Sequence, residues 1–277
     1  MWQKKIVTWN FLKVLYISVP FTWLLPEAKL LAQRYKGKVI LGGPAVYLME
    51  DWVSTWAEVG RELSFIDPLE LHNPFATFTT RGCVNSCSFC AVPKIEGEFR
   101  ENKTWKIRPI VCDNNFLAAS KRHIIRVIDS FSDLPIVDFN QGLDVRLLKK
   151  WHLEEIRKLK KVQLRFAFDN LNEETKVYDA ILSAQKEGFK NISVYVLVGF
   201  NDCEEEARYR LEKVKEWGAR PDPMRYQPLD TLQKNSFVGA NWTDAQLHKI
   251  CRYYFRSSWV SHIPYDDFNK KEEGFGL

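Results

Sequence analysis

No apolar run in this 277-residue sequence is long enough to cross a bilayer. No segment is of low complexity. The opening Met1-Trp2-Gln3-Lys4-Lys5 is positive, but the residues after it are broken by Asn10, Lys13 and Pro20 and offer no small-residue cleavage site. A secretory signal is therefore not expected. The six cysteines do not form a disulfide framework, because three are clustered and three are scattered. A cluster of that kind suits metal binding in a reducing compartment, so the cytoplasm is the expected location. Charge of one sign is in small excess: the net charge is +5 and the pI about 8.8. This permits a phosphate-rich partner without demanding one.

What is present is globular. The sequence is 45% hydrophobic and 27% charged, and its length suits one large domain or a main domain with a small appendage. Ten tryptophans and 14% aromatics fit a well-filled core or a base-stacking surface.

Hydrophobic periodicity divides the chain. Val14 to Val19 is β-rich, apolar and stopped by Pro20. Leu25 to Tyr35 has helical spacing, with Leu30, Leu31 and Tyr35 as its apolar stripe. Lys38 to Leu41 is a second strand, closed by Gly42-Gly43-Pro44. Together they predict one right-handed β-α-β unit with parallel strands. A short helix from Asp51 to Val59 and a linker complete a small region over residues 1–73. Strands are then expected at Phe75–Thr80, Pro109–Cys112, Ile136–Asn140, Gln163–Phe168, Ile192–Val198 and Pro223–Gln227, with Lys94–Lys103 as loop. Helices fall between the later strands, at Leu117–Phe131, Leu153–Leu159, Glu173–Glu187 and Glu204–Trp217. A β-α repeat of about 27–30 residues means parallel strands with right-handed crossovers. Six units are too few for a closed eight-fold barrel, which leaves a partial (β/α)6 TIM-like barrel over 74–228. Residues 229–277 form a helical extension, with a helix over Thr243–Phe255 and polar, fraying residues from Asp266 to Leu277.

The stretch with the clearest chemistry is Thr79-Thr80-Arg81-Gly82-Cys83-Val84-Asn85-Ser86-Cys87-Ser88-Phe89-Cys90. Cys83, Cys87 and Cys90 stand at C-x3-C-x2-C, and no fourth cysteine lies within the next twenty residues. Three thiolates can hold three corners of a cubic iron–sulfur cluster, which normally takes four. One iron would keep an open position. A zinc site is the alternative, but it closes with four ligands, and the one nearby candidate, Cys112, lies inside an expected strand. The loop follows the first barrel strand, at the carboxyl end where parallel α/β folds build their sites.

Spacing and aromatic together resemble the radical S-adenosylmethionine (radical SAM) superfamily, whose signature is C-x3-C-x2-C with an aromatic before the third cysteine, here Phe89. That family uses a six-stranded partial barrel with the cysteine loop after the first strand. The resemblance implies a [4Fe–4S] cluster on Cys83, Cys87 and Cys90, with SAM chelated at the open iron. It also implies roles at the strand exits. Phe89 would lie near the adenine, and Asp113 and Asn114 would meet the SAM amino group, although Asp113-Asn114-Asn115 departs from the family's Gly-Gly-Glu-like segment. Gln141, Asp144, Arg146 and Asp169 would face the carboxylate, ribose or substrate, and Gly199 would let the backbone approach the adenine. The Gly-Gly-Pro turn is similar to the end of the cobalamin-binding domain that precedes many relatives. The Asp-x-His-x-x-Gly ligand motif is absent and no histidine precedes His72, so cobalamin is not expected.

The implied activity is reductive cleavage of SAM to a 5′-deoxyadenosyl radical that takes hydrogen from a substrate. A one-electron donor of flavodoxin or ferredoxin type would be the partner. No catalytic side chain is singled out. Methylthiotransferases of that superfamily carry three more N-terminal cysteines and an RNA-binding C-terminal domain, and its acetyltransferase-fused tRNA enzymes carry a second domain; membership of either group is therefore not expected. A nucleoside or nucleic acid is the expected substrate class, from the basic balance and the Arg252, Tyr253, Tyr254, Arg256, Trp259 tail. Two alternatives stand beside this: a non-catalytic iron–sulfur protein for electron transfer or redox sensing, and a zinc-bound nucleic-acid-binding module.

Overall fold

A computed structural model describes residues 4–61, 66–256 and 263–268. The chain packs as two compact units, one of residues up to 123 with 227–236, the other of 124–226 with 237 onward. Trp259 and the tail from 269 lie outside the described residues.

The first unit opens on a four-stranded sheet. Strand β1 (Val7–Phe11) runs antiparallel to β2 (Val14–Ser18). Helix α1 (Leu25–Arg34) crosses to β3 (Lys38–Gly42), parallel to β2. Two short helices, α2 (Pro44–Leu48) and α3 (Glu50–Ser54), lead to β4 (Glu58–Val59), parallel to β3. The expected β-α-β unit is therefore present with a strand added on each side. Periodicity missed β1 because its turn is Leu12-Lys13, both at positive φ (48° and 64°), without the glycine or asparagine that normally marks such a hairpin. Strand β4 replaces the end of the helix expected to reach Val59. The apolar stripe of α1 is also rotated from the expected one. Leu25, Ala28 and Ala32 are buried with Ile17, Val19, Leu41, Val46 and Val53, whereas Leu30 is exposed. Small alanines bring the helix close to the sheet, and the larger Leu31 and Tyr35 pack at its edge.

Helix α4 (Pro68–His72) precedes the cysteine region. The strand expected over Phe75–Thr80 is split into β5 (Ala76–Thr77) and β6 (Thr80–Arg81). A short helix α5 (Val92–Ile95) and β7 (Arg100–Glu101) occupy what was expected to be loop. Strand β7 pairs antiparallel with β6, while β5 pairs in parallel with β8 (Ile110–Val111).

Helix α6 (Lys121–Phe131) ends the first segment of the alternation. The second unit then follows the expected pattern: β9 (Val137–Phe139), α7 (Lys150–Ile156), β10 (Val162–Ala167), α8 (Glu174–Lys186), β11 (Ile192–Val198), α9 (Glu204–Glu216) and β12 (Arg220–Arg225). These four strands are parallel neighbours in chain order. With the parallel pair β5 and β8 in the first unit, six parallel strands appear where six were expected. The fold is mixed α/β.

Connections between parallel neighbouring strands are right-handed as a rule, which puts α7, α8 and α9 on one face of β9–β12. That face is dry: Leu164, Phe166, Val194, Val196 and Val198 are buried, as are Val177, Ile181, Leu211 and Val214 from the helices. Each such side chain contributes about 1.5–3 kcal/mol on leaving water, so alternation alone fixes which face turns inward. Helix α10 (Asp244–Phe255) is capped by Thr243 and Gln246 and buries Leu247, Ile250, Tyr253 and Tyr254. Tyr253 and Tyr254 thus sit in the core, not on a base-stacking surface, and their hydroxyls bond the Ile263 carbonyl and Glu212. Of the tail expected to fray from Asp266, the described residues are packed: Tyr265–Asp267 form a 3-10 turn, and Tyr265 and Phe268 are buried against Tyr253; the rest of that expectation, from 269 on, lies outside the described residues.

Candidate functional site

The cysteine loop belongs wholly to the first unit. Its base is a two-rung ladder, Thr80 opposite Glu101 and Arg81 opposite Arg100. Asn102 closes it further, its N–H donating to the Thr79 carbonyl (2.9 Å) and its amide to the Phe78 carbonyl (3.0 Å). Residues 82–99 are therefore a closed excursion, not a simple strand exit.

Two buried carboxylates fasten it. Asp113, after β8, accepts the backbone N–H groups of Thr79 (2.6 Å) and Thr80 (3.0 Å) and the Thr79 hydroxyl. Burial pushes its carboxyl up to about 6, against these hydrogen bonds, which favour the charged form. Inside the loop, Glu96 accepts from the Gly82 N–H (2.9 Å) and the Asn114 amide (2.8 Å), and pairs with Arg81 (2.8 Å). Gly82, directly before Cys83, has φ +73°, and a Cβ there would lie 2.2 Å from the Glu98 carbonyl oxygen. Only glycine fits. Beside the ladder is a cleft of about 430 Å3 lined in part by Phe78, Arg81, Asn102 and Trp105.

The three cysteines are half-buried thiols, none of them in a disulfide. Cys83 Sγ accepts from the Asn85 N–H (3.4 Å) and the Asn115 amide (3.5 Å), and the Cys90 N–H donates to the Cys87 carbonyl (3.0 Å). Among the described residues, no group of three or more His, Cys, Asp or Glu stands in a metal-holding arrangement. The donor set still suits an iron–sulfur cluster. It offers three accessible thiols on one tethered loop, with N–H donors aimed at a sulfur, the kind of bond that tunes such clusters. Phe89 is half-buried on the same loop. Cys112 is buried in the core.

The remaining expected residues lie in the second unit. Gln141 is exposed. Asp144 and Arg146 form a fork, with Nε to Oδ1 at 2.7 Å and a terminal nitrogen to Oδ2 at 3.0 Å, and Glu173 is 3.9 Å from Arg146. Asp169 follows β10, and burial with the neighbouring Glu173 pushes its carboxyl up to about 6. Gly199 has φ +85°, and a Cβ there would stand 2.7 Å from Leu247 of α10, so the glycine admits the C-terminal helix. Its N–H donates to Asp202 (2.9 Å), which also takes Trp242 Nε1 (3.0 Å). Arg210 is 1% exposed, pairs with Asp202, and donates to the carbonyls of Phe168 (2.8 Å) and Asp169 (3.0 Å). At the end of β12, Met224 is 46% exposed, Arg225 bonds Asp244, and Tyr226 just beyond it packs on Phe200 and Phe237.

Sequence reasoning missed the face of β9–β12 opposite the helices. There Arg165 grips Asp138 with two bonds (2.7 and 2.8 Å) and stands 3.7 Å from Asp222, while the Tyr195 hydroxyl donates to the Asn140 carbonyl (2.8 Å). The signal was available as strict alternation: Gln163 and Arg165 interleave with Val162, Leu164 and Phe166.

No known family model matches this chain, and no curated protein matches it. Among solved structures it is similar to coproporphyrinogen III oxidase (HemN) from Escherichia coli, described as a radical SAM enzyme, at 12% identity and a TM-score of 0.40. The likeness covers 52% of this chain and 39% of that one, so this chain matches about two fifths of that protein's length.

Proposed function

We propose that this chain is a radical SAM enzyme built on a partial (β/α)6 barrel. The observation that carries the reading is the closed cysteine excursion: three thiols at C-x3-C-x2-C on one loop, tethered by Asp113, Glu96 and Gly82. Cys83, Cys87 and Cys90 would hold the cluster. When bound, a [4Fe–4S] cluster there would supply the one-electron chemistry for reductive cleavage of SAM to methionine and a 5′-deoxyadenosyl radical able to take hydrogen from a substrate. The chain's own residues position and shield. Asn115 and the Asn85 N–H place positive dipoles on Cys83 Sγ, the kind of hydrogen bond that orients a ligand and tunes a bound cluster. Glu96 holds the loop entry through Gly82 and orients Asn114, whose remaining polar groups suit an ammonium or carboxylate. Phe89 is assigned to the adenine face. Gln141, Asp144, Arg146, Asp169 and Gly199 are assigned to the remainder of SAM or to substrate, with Arg146 exchanging its Asp144 partner for a ligand carboxylate. Asp113 acts through Thr79 and Thr80 as a positioning residue. A reductant of flavodoxin or ferredoxin type and a nucleoside or nucleic-acid substrate complete the reading.

The test is anaerobic reconstitution with iron and sulfide, followed by SAM and a strong reductant. Formation of 5′-deoxyadenosine, lost in Cys83→Ala, Cys87→Ala and Cys90→Ala, supports the proposal. A loaded cluster that yields none makes the chain an electron carrier instead.

A further inference from the structure

On the helical side of the second unit, α7 and α8 flank a cleft of about 440 Å3. Arg146, Lys149 and Lys150 line it, with Lys176 and Lys186 from α8. Asp179 and Glu187 are its only lining carboxylates; with the Asp144 and Glu154 partners of Arg146 and Lys150 counted as well, five cations face four anions and one net positive charge remains. Lys176, Asp179, Ser183 and Lys186 recur at helical spacing, which puts them on one face of α8. At 1.5 Å rise per residue the two lysines are about 15 Å apart along the helix. Arg146 is engaged by Asp144, and Lys150 is 3.4 Å from Glu154. Lys149, Lys176 and Lys186 are exposed, and no carboxylate among the described residues pairs with them. Leu148, Leu153 and Ala180 form an apolar floor.

Lys149, Lys176 and Lys186 outnumber Asp179 and Glu187 in the trough and are held in no ion pair among the described residues, so an anion with spaced charges can bridge them. We propose that this groove binds the phosphate backbone of a nucleic-acid strand. The lining favours that ligand over an acidic protein surface. It is a concave trough of lysine point charges, with none of the aromatic or methionine anchors that dominate protein interfaces. Without an aromatic to stack a base, it reads charge and not sequence. The groove needs neither iron nor SAM, so the proposal stands or falls separately from the cluster reading.

The experiment uses the full chain, purified without iron, and a fluorescent single-stranded oligoribonucleotide titrated at several salt concentrations. Each phosphate contact on a single strand contributes about 0.7 to the slope of log affinity against log salt. The triple variant Lys149→Gln, Lys176→Gln, Lys186→Gln breaks no ion pair. It is expected to reduce that slope by about 2, so that between about 50 and 200 mM salt the unaltered protein loses about 20-fold more affinity than the variant. A control with the same charge change, Lys5→Gln, Lys36→Gln, Lys234→Gln in the first unit, is expected to keep the slope. The proposal is overturned if the groove variant keeps the slope, if the control loses as much, or if polyglutamate displaces the oligoribonucleotide at equal charge concentration.

Discussion

Replacing Glu96 by alanine tests whether the cysteine loop is a built structure. The carboxylate accepts from the Gly82 N–H, the Asn114 amide and Arg81, and its side chain is only 9% exposed. Hydrogen bonds to a charged group contribute about 1.5–3 kcal/mol each. Arg81, 30% exposed, recovers water when its partner is removed and contributes little to the loss. The Gly82 and Asn114 donors are part-buried, and relief of the carboxylate's own desolvation offsets some of their loss. The net cost is about 2–4 kcal/mol, concentrated on residues 82–99. Urea unfolding of the iron-free protein reads the global part. Alkylation rates of Cys83, Cys87 and Cys90, followed by mass spectrometry in native buffer, read the local part. The expected result is a lower midpoint, faster alkylation of all three thiols, and an intermediate effect for Glu96→Gln, which keeps one acceptor oxygen. A midpoint within about 0.5 kcal/mol of the original, with unchanged thiol rates, would refute the argument that Glu96 orders the loop.

Gly82→Ala places a Cβ 2.2 Å from the Glu98 carbonyl oxygen at positive φ and should cost about 2–5 kcal/mol, read from the urea midpoint. Asp113 binds its proton more tightly folded than unfolded, about 6 against 3.8, so its contribution is fully present below pH 3.8 and is lost as pH rises through about 6. Asp113→Asn should remove that slope and be at least as stable near neutral pH, whereas Asp113→Ala orphans the Thr79 and Thr80 N–H groups and should destabilise at every pH; urea melts between about pH 4 and 8 decide this. Arg210→Met leaves Asp202 buried beside two unmet carbonyls and should cost about 3–5 kcal/mol. Arg210→Lys keeps the charge but not the fork, so its urea midpoint should recover only part of that loss.

The parts legible in the sequence were those governed by local periodicity. The β-α alternation from Ile136 to Arg225 follows the change between two-residue and 3.6-residue apolar spacing, and the structure places those strands and helices within a few residues of expectation. Features set by long-range partners were not legible. Nothing near Glu96 marks it as the acceptor for Gly82, 14 residues earlier, or for Asn114, 18 residues later. Arg210 lies in a charged helix that reads as solvated, yet it is buried because Asp202 and two strand-end carbonyls consume its donors. The β1–β2 hairpin turns on two residues that ordinarily avoid positive φ, so no turn signal precedes it. Tyr253 and Tyr254 show the converse error: composition allowed a stacking surface, and burial made them core.

The most direct test of the central claim is electron paramagnetic resonance of the reconstituted, reduced protein with and without SAM. The account predicts about four irons per chain, a reduced-cluster signal that changes when SAM is added, and 5′-deoxyadenosine in the same sample. A protein that takes up zinc in place of iron, or holds a cluster whose signal is indifferent to SAM, would contradict it.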